Sequence, residues 1–122
     1  MNATILVLCS DAVIRSVITD TLEARGYVVL GAANLGTAVD RLREYKPDLL
    51  IIRPYIDNMA GHDAAHYLRT KRPGMRVLMV SGTLDDERLL YRDSLHAIEV
   101  FPKPFTAAEL LAKVSEILER RA

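Results

Sequence analysis

Short apolar runs separated by amphipathic stretches repeat from one end of this chain to the other, and that rhythm restricts the fold more than any other feature. The runs are Thr4 to Leu8, Tyr27 to Leu30, Asp48 to Ile52, Arg76 to Val80 and Ala97 to Phe101. All are short and rich in Val, Ile or Leu, as strands buried on both faces are. Strands alternating with helices make βα units. Five such units in series predict an α/β domain with one doubly wound, five-stranded parallel sheet.

The stretches between the runs carry helical spacing. Val13, Ile14, Val17, Ile18 and Leu22 recur with that period, Asp11 is placed to cap the helix they form, and Gly26 to end it. Ala38, Val39 and Leu42 mark a second helix. Ala64, Ala65 and Leu68 mark a third that stops before Pro73, and Leu89, Leu90 and Leu95 a weaker fourth. The last helix is the clearest. Thr106 and Glu109 form a capping box, and Leu110, Leu111, Val114, Ile117 and Leu118 share one apolar face.

Composition narrows the function classes. A length of 122 residues suits one domain, read as 1–122, and buries enough surface to fold without staples. Sixteen basic residues balance sixteen acidic ones, so the overall charge points to neither nucleic acid nor an anionic membrane. Cys9 is the single cysteine and cannot close an internal disulfide. With no basic segment and long apolar stretch at the N-terminus, and no apolar run long enough to cross a bilayer, the expected location is cytoplasmic.

In open parallel sheets, ligands bind beyond the carboxyl ends of the strands where strand order reverses. Those ends hold Cys9, Ser10 and Asp11 after the first strand, Arg53, Pro54 and Tyr55 after the third, Ser81, Gly82 and Thr83 after the fourth, and Lys103, Pro104 and Phe105 after the fifth. Together with Ile5 to Leu8, Ile14-Arg15, Gly26-Tyr27, Lys46 to Leu50, Met59 with Gly61, Leu68-Arg69 and Val77 to Gly82, these residues are carried in a characteristic order and spacing. In that order the chain resembles the receiver domains of two-component response regulators over essentially its whole length. The resemblance implies a flavodoxin-like (βα)5 fold with strand order 2-1-3-4-5.

The resemblance also implies a reaction: an aspartate ending the third strand takes a phosphoryl group from a histidine kinase. An acidic pair after the first strand holds Mg²⁺, and a hydroxyl and a lysine contact the phosphoryl oxygens. Ser81 and Lys103 match the last two positions. The phosphoacceptor position holds Arg53, and Cys9 and Ser10 stand where the acidic pair would be, leaving Asp11 as the carboxylate of that pocket. An arginine cannot form an acyl phosphate. Arg53 and Lys103 also oppose a cation: two unit charges about 6 Å apart repel by roughly 3 kcal/mol at an effective dielectric of ~20, and a divalent ion doubles that. The switch-aromatic position holds Val100, and the small-residue position ahead of it His96.

Arg53 then has three readings: a stand-in that pairs with Asp11 and locks one conformation, a charge tolerated in a decayed pocket, or, with Lys103 and Ser81, a holder of a small anion or a nucleotide's phosphates. Cys9 reads as a small buried hydrophobe ahead of a redox thiol. His62 and His66 have the spacing of a metal pair but no evident third ligand, so no metal is expected there. Asp57 is a substitute phosphoacceptor only if its turn aims it inward, and Asp85, Asp86 and Glu87 suit a helix start. No nucleophile, base and orienter assemble at the strand ends, which argues against an enzyme.

The chain is thus expected to be a degenerate pseudo-receiver. It would signal through protein contacts, with a histidine kinase or another regulator as partner and Mg²⁺ binding weak or lost. A homodimer through the fourth helix, fifth strand and last helix would use Leu89, Leu90, Tyr91 and Phe101. The alternatives are a receiver phosphorylated at another residue and a sensor of anions or nucleotides through Arg53 and Lys103.

Overall fold

In the computed structural model, which describes residues 3–81, 98–102 and 106–119, the apolar runs form strands and the periodic stretches between them form helices. In chain order the elements are β1 (Thr4–Leu8), α1 (Ala12–Glu23), β2 (Val28–Ala32), α2 (Leu35–Glu44), β3 (Leu49–Ile52), β4 (Tyr55–Ile56) and β5 (Met59–Ala60). They continue with α3 (Gly61–Lys71), β6 (Arg76–Ser81), β7 (Ile98–Pro102) and α4 (Ala107–Glu119). The main sheet is parallel and runs β2-β1-β3-β6-β7, the expected 2-1-3-4-5 order once the small β4–β5 hairpin is set aside. The fourth helix expected around Leu89, Leu90 and Leu95 lies outside the described residues.

Alternation along each strand feeds two cores. Leu6, Leu8, Leu50, Ile52, Val77 and Met79 face α2 and α3, packing on Ala38, Ala64, Ala65 and Leu68. Ile5, Val7, Leu49, Ile51, Leu78 and Val80 face the other layer, against Ile18 and Leu22 of α1 and Leu110, Val114 and Ile117 of α4. Both faces are covered, so neither needs polar residues, and the strands read as continuous apolar runs. The small alanines of α2 and α3 let those helices approach the sheet closely.

Several local details depart from expectation. On α1, Val13 and Val17 stay 72% and 60% exposed; the packed ridge is Ile14, Ile18 and Leu22, one straight i, i+4, i+8 row. The second strand starts at Val28 and runs on through Gly31 and Ala32, which pair with Val7 and Leu8 although their side chains carry little apolar signal. The third starts one residue late because Asp48 closes the ladder instead: its amide donates to Thr4 O at 2.8 Å and its Oδ2 accepts from Thr4 N at 2.9 Å. The last strand is shifted by one residue, to Ile98–Pro102. The predicted capping box forms on α4, Thr106 N donating to Glu109 Oε1 at 3.0 Å and Glu109 N to Thr106 Oγ1 at 3.1 Å.

Candidate functional site

The strand order creates a crevice at one place. From β1 the chain crosses through α1 to β2 on one side, and from β3 it crosses through α3 to β6 on the other, so the connections diverge between β1 and β3. Leu8 pairs with Ile52 and Ile52 with Met79, so the next residues, Cys9 and Arg53, flank the crevice. Ser81 ends β6 on the same edge. Lys103 lies outside the described residues, as do Gly82, Thr83, Asp85, Asp86, Glu87, Leu89, Leu90, Tyr91, His96, Pro104 and Phe105. Val100 and Phe101 belong to β7, but their side chains are likewise outside the description.

Cys9 and Asp11, after β1, have structural duties. Cys9 is buried, its amide donates to Ala32 O at 3.0 Å, and its carbonyl accepts from Arg15 Nη1 at 2.7 Å. Ser10 is exposed. Asp11 is the N-cap of α1, with Oδ1 accepting from Val13 N at 2.9 Å and Ile14 N at 3.1 Å. This satisfies two of the helix's orphan amides. The pairing with Arg53 weighed from the sequence does not form: no ion pair joins the two residues, and two of the Arg53 nitrogens have no hydrogen-bond partner among the described residues.

Arg53 itself is only partly buried, yet Nε and Nη1 are sealed from solvent without a hydrogen-bond partner. Its main chain is tightly fixed. Gly61 N donates to Pro54 O, and a Cβ at Gly61 would run into the Arg53 carbonyl oxygen and press on Pro54. Only glycine tolerates that approach.

Between Pro54 and Gly61 the chain makes the β4–β5 hairpin, Tyr55 opposite Ala60 and Ile56 opposite Met59. Asp57 and Asn58 form the two-residue turn with φ of 52° and 61°, the mirror-image geometry that two-residue hairpins favour and that Asp and Asn tolerate. Ile56 anchors the hairpin in the core. Asp57 Oδ2 accepts from Leu35 N at 2.7 Å, at the start of α2. Its carboxylate therefore caps a helix 22 positions back in the sequence, beside Asn34, whose Oδ1 accepts from Thr37 N at 2.8 Å. Two-residue strands carry no periodicity that would announce the hairpin; the adjacent Asp57-Asn58 pair is its one signal in the sequence.

Elsewhere, His62 Nε2 lies 3.3 Å from Asp63 Oδ1 and His66 is exposed. Among the described residues no three His, Cys, Asp or Glu side chains converge as metal ligands, and no helix is long and apolar enough to cross a membrane. An open groove of about 800 Å³ runs between α2 and α3, lined by Leu35, Val39, Asp40, Arg43, Met59 and Tyr67 among others. None of the crevice residues lines it.

Residues 5–115 match the family model of the response regulator receiver domain. Over 117 residues the chain is 24% identical to the probable transcriptional regulatory protein TcrX of Mycobacterium tuberculosis, covering 96% of this chain and 50% of that protein. It is 28% identical over 120 residues to the alkaline phosphatase synthesis transcriptional regulatory protein PhoP of Bacillus subtilis, covering 98% of this chain and again 50% of the relative. The chain thus spans about half the length of these curated relatives. Among solved structures, a CheY-like receiver domain protein from Methanospirillum hungatei superposes with a TM-score of 0.84 at 24% identity, covering 98% of this chain and 95% of that one. A response regulator receiver protein from Sinorhizobium medicae gives 0.84 at 24% identity, with 99% and 98% covered. These two likenesses speak for the fold.

Proposed function

The chain belongs to the response regulator receiver domain family, and from that premise we propose that it is a signalling module that engages its partners independently of phosphorylation. The single observation that carries this reading is the guanidinium of Arg53 at the end of β3, beside the crevice. Phosphoryl transfer there needs a carboxylate oxygen as nucleophile and a cation to gather the charge of the transferring group. Arg53 offers neither lone pair nor carboxylate.

The residues present do not suit Mg²⁺ either. A hard cation takes oxygen ligands. Cys9 offers a buried sulfur and Ser10 a neutral hydroxyl. Asp11 has one carboxylate oxygen bound to two amides of α1, and the Arg53 charge repels a cation at short range. We therefore expect Mg²⁺ to bind weakly or not at all. With no nucleophile, base and orienter set among the described crevice residues, the chain on this reading acts as a binding module and not as an enzyme.

Its partner, on this reading, is a protein of the two-component apparatus: a histidine kinase, another regulator, or a second copy through the face of Leu89, Leu90, Tyr91 and Phe101. A receiver phosphorylated elsewhere is the rival. Its best residue, Asp57, already spends its carboxylate on the Leu35 amide.

Intact-mass spectrometry after incubation with Mg²⁺ and a small phosphodonor tests the proposal. The expected result is an unmodified mass. A gain of about 80 Da, the mass of one phosphoryl group, would overturn it, and the modified residue would become the active site.

A further inference from the structure

Beside the crevice between β1 and β3 stands a cation with two nitrogens that nothing among the described residues answers. A guanidinium keeps its charge and presents five N–H donors in a planar array. Leaving such donors out of water without acceptors is costly, and the cost is removed by whatever supplies lone pairs. Arg53 Nε and Nη1 are in that condition. The carboxylate nearest in the crevice-flanking sequence, Asp11, is engaged with α1. Neither is this the general habit of the chain's arginines, since Arg15, Arg41, Arg72 and Arg76 all donate to backbone carbonyls.

We infer that Arg53 is the receptor for an oxyanion of the phosphate type, held noncovalently and without Mg²⁺ at the crevice between β1 and β3. Three features act together. The sealed nitrogens supply charge-assisted donors, which are about twice as strong as neutral ones. Pro54 and Gly61 fix the backbone that carries them, so little order is lost on binding. The crevice is where the connections of the sheet diverge, and Arg53, the residue that follows β3 at that edge, is only partly buried. The ligand's phosphate comes free in solution or at the end of a nucleotide. The inference rests on the reading of Arg53 as a site that accepts no phosphoryl group, and adds that the site is filled reversibly instead.

The test follows the Arg53 Nε–H resonance of the ¹⁵N-labelled chain by NMR, in a chelator, while inorganic phosphate replaces chloride at constant ionic strength. ATP is titrated in parallel. A saturable shift of that resonance with either ligand is expected, and a tighter response to ATP identifies the nucleotide as the source. Arg53→Met should weaken the response of neighbouring amides about tenfold or more, as loss of charge-assisted hydrogen bonds does. Arg53→Lys, which keeps the charge but not the planar donor array, should fall between. Absence of a saturable shift with both ligands overturns the inference, as does equal binding by Arg53→Met. Because the titration is free of metal and phosphodonor, it is scored apart from the mass measurement: no adduct with no anion shift sinks this inference alone, whereas an adduct sinks the parent reading.

Discussion

Arg53 and the arginines at the amino ends of the strands are placed in opposite ways. At the amino ends of the strands, Arg72 Nε donates to Pro47 O at 3.2 Å and Nη1 to Pro73 O at 3.1 Å. Arg76 Nη1 donates to Ile117 O at 2.8 Å, on the final turn of α4. There Arg76 ties the end of α4 to the sheet, where carbonyls without intrahelical partners attract positive charge, and Arg72, the C-cap of α3, ties that helix end to the loop before β3. At the carboxyl ends, Arg15 and Arg41 likewise donate to Cys9 O and Gly31 O, whereas Arg53 has its main chain clamped and two donor nitrogens unanswered among the described residues. The other arginines serve as mortar; Arg53 is set beside the crevice at a cost to stability, which is how functional sites depart from the rest of a fold.

The largest effect expected from breaking this contrast is at the clamp. Gly61→Ala places a methyl group against the Arg53 carbonyl and Pro54 and should cost about 3 kcal/mol in urea unfolding; a wild-type midpoint would mean the hairpin yields easily. Next in size is Arg76→Met at the amino end. It removes the donor to the last turn of α4 and should cost about 2 kcal/mol. The smallest change, and of opposite sign, is Arg53→Met, which should leave stability unchanged or raise it by up to about 1 kcal/mol because no partner is abandoned. Equal losses at Arg53 and Arg76 would erase the contrast altogether.

The sheet and its two layers were legible because both faces of each central strand are apolar, and Ile5 to Leu8 and Leu49 to Ile52 announce that without ambiguity. Strand limits were less so: Gly31 and Ala32 join β2 through backbone pairing alone, which side-chain pattern does not report. At the site, residue types named Arg53, Cys9, Ser10 and Asp11, and the cap at Asp11 was foreseen from its place before the helix. What Asp11 and Asp57 do with their carboxylates was not decided by type. Asp11 turns to its own helix and not to Arg53, and Asp57 reaches an amide far back in the sequence, because a left-handed turn carries it there. Long-range hydrogen bonds of that kind leave no mark in composition or period.

That bond from Asp57 to Leu35 has a dynamic corollary. The hairpin following Arg53 and the first turn of α2 share it, so neither can open without exposing a group of the other. Hydrogen exchange should therefore find the Leu35 amide opening together with the hairpin and not with the remainder of its own helix. The first turn of α2 then becomes a natural reporter for whatever happens at the end of β3.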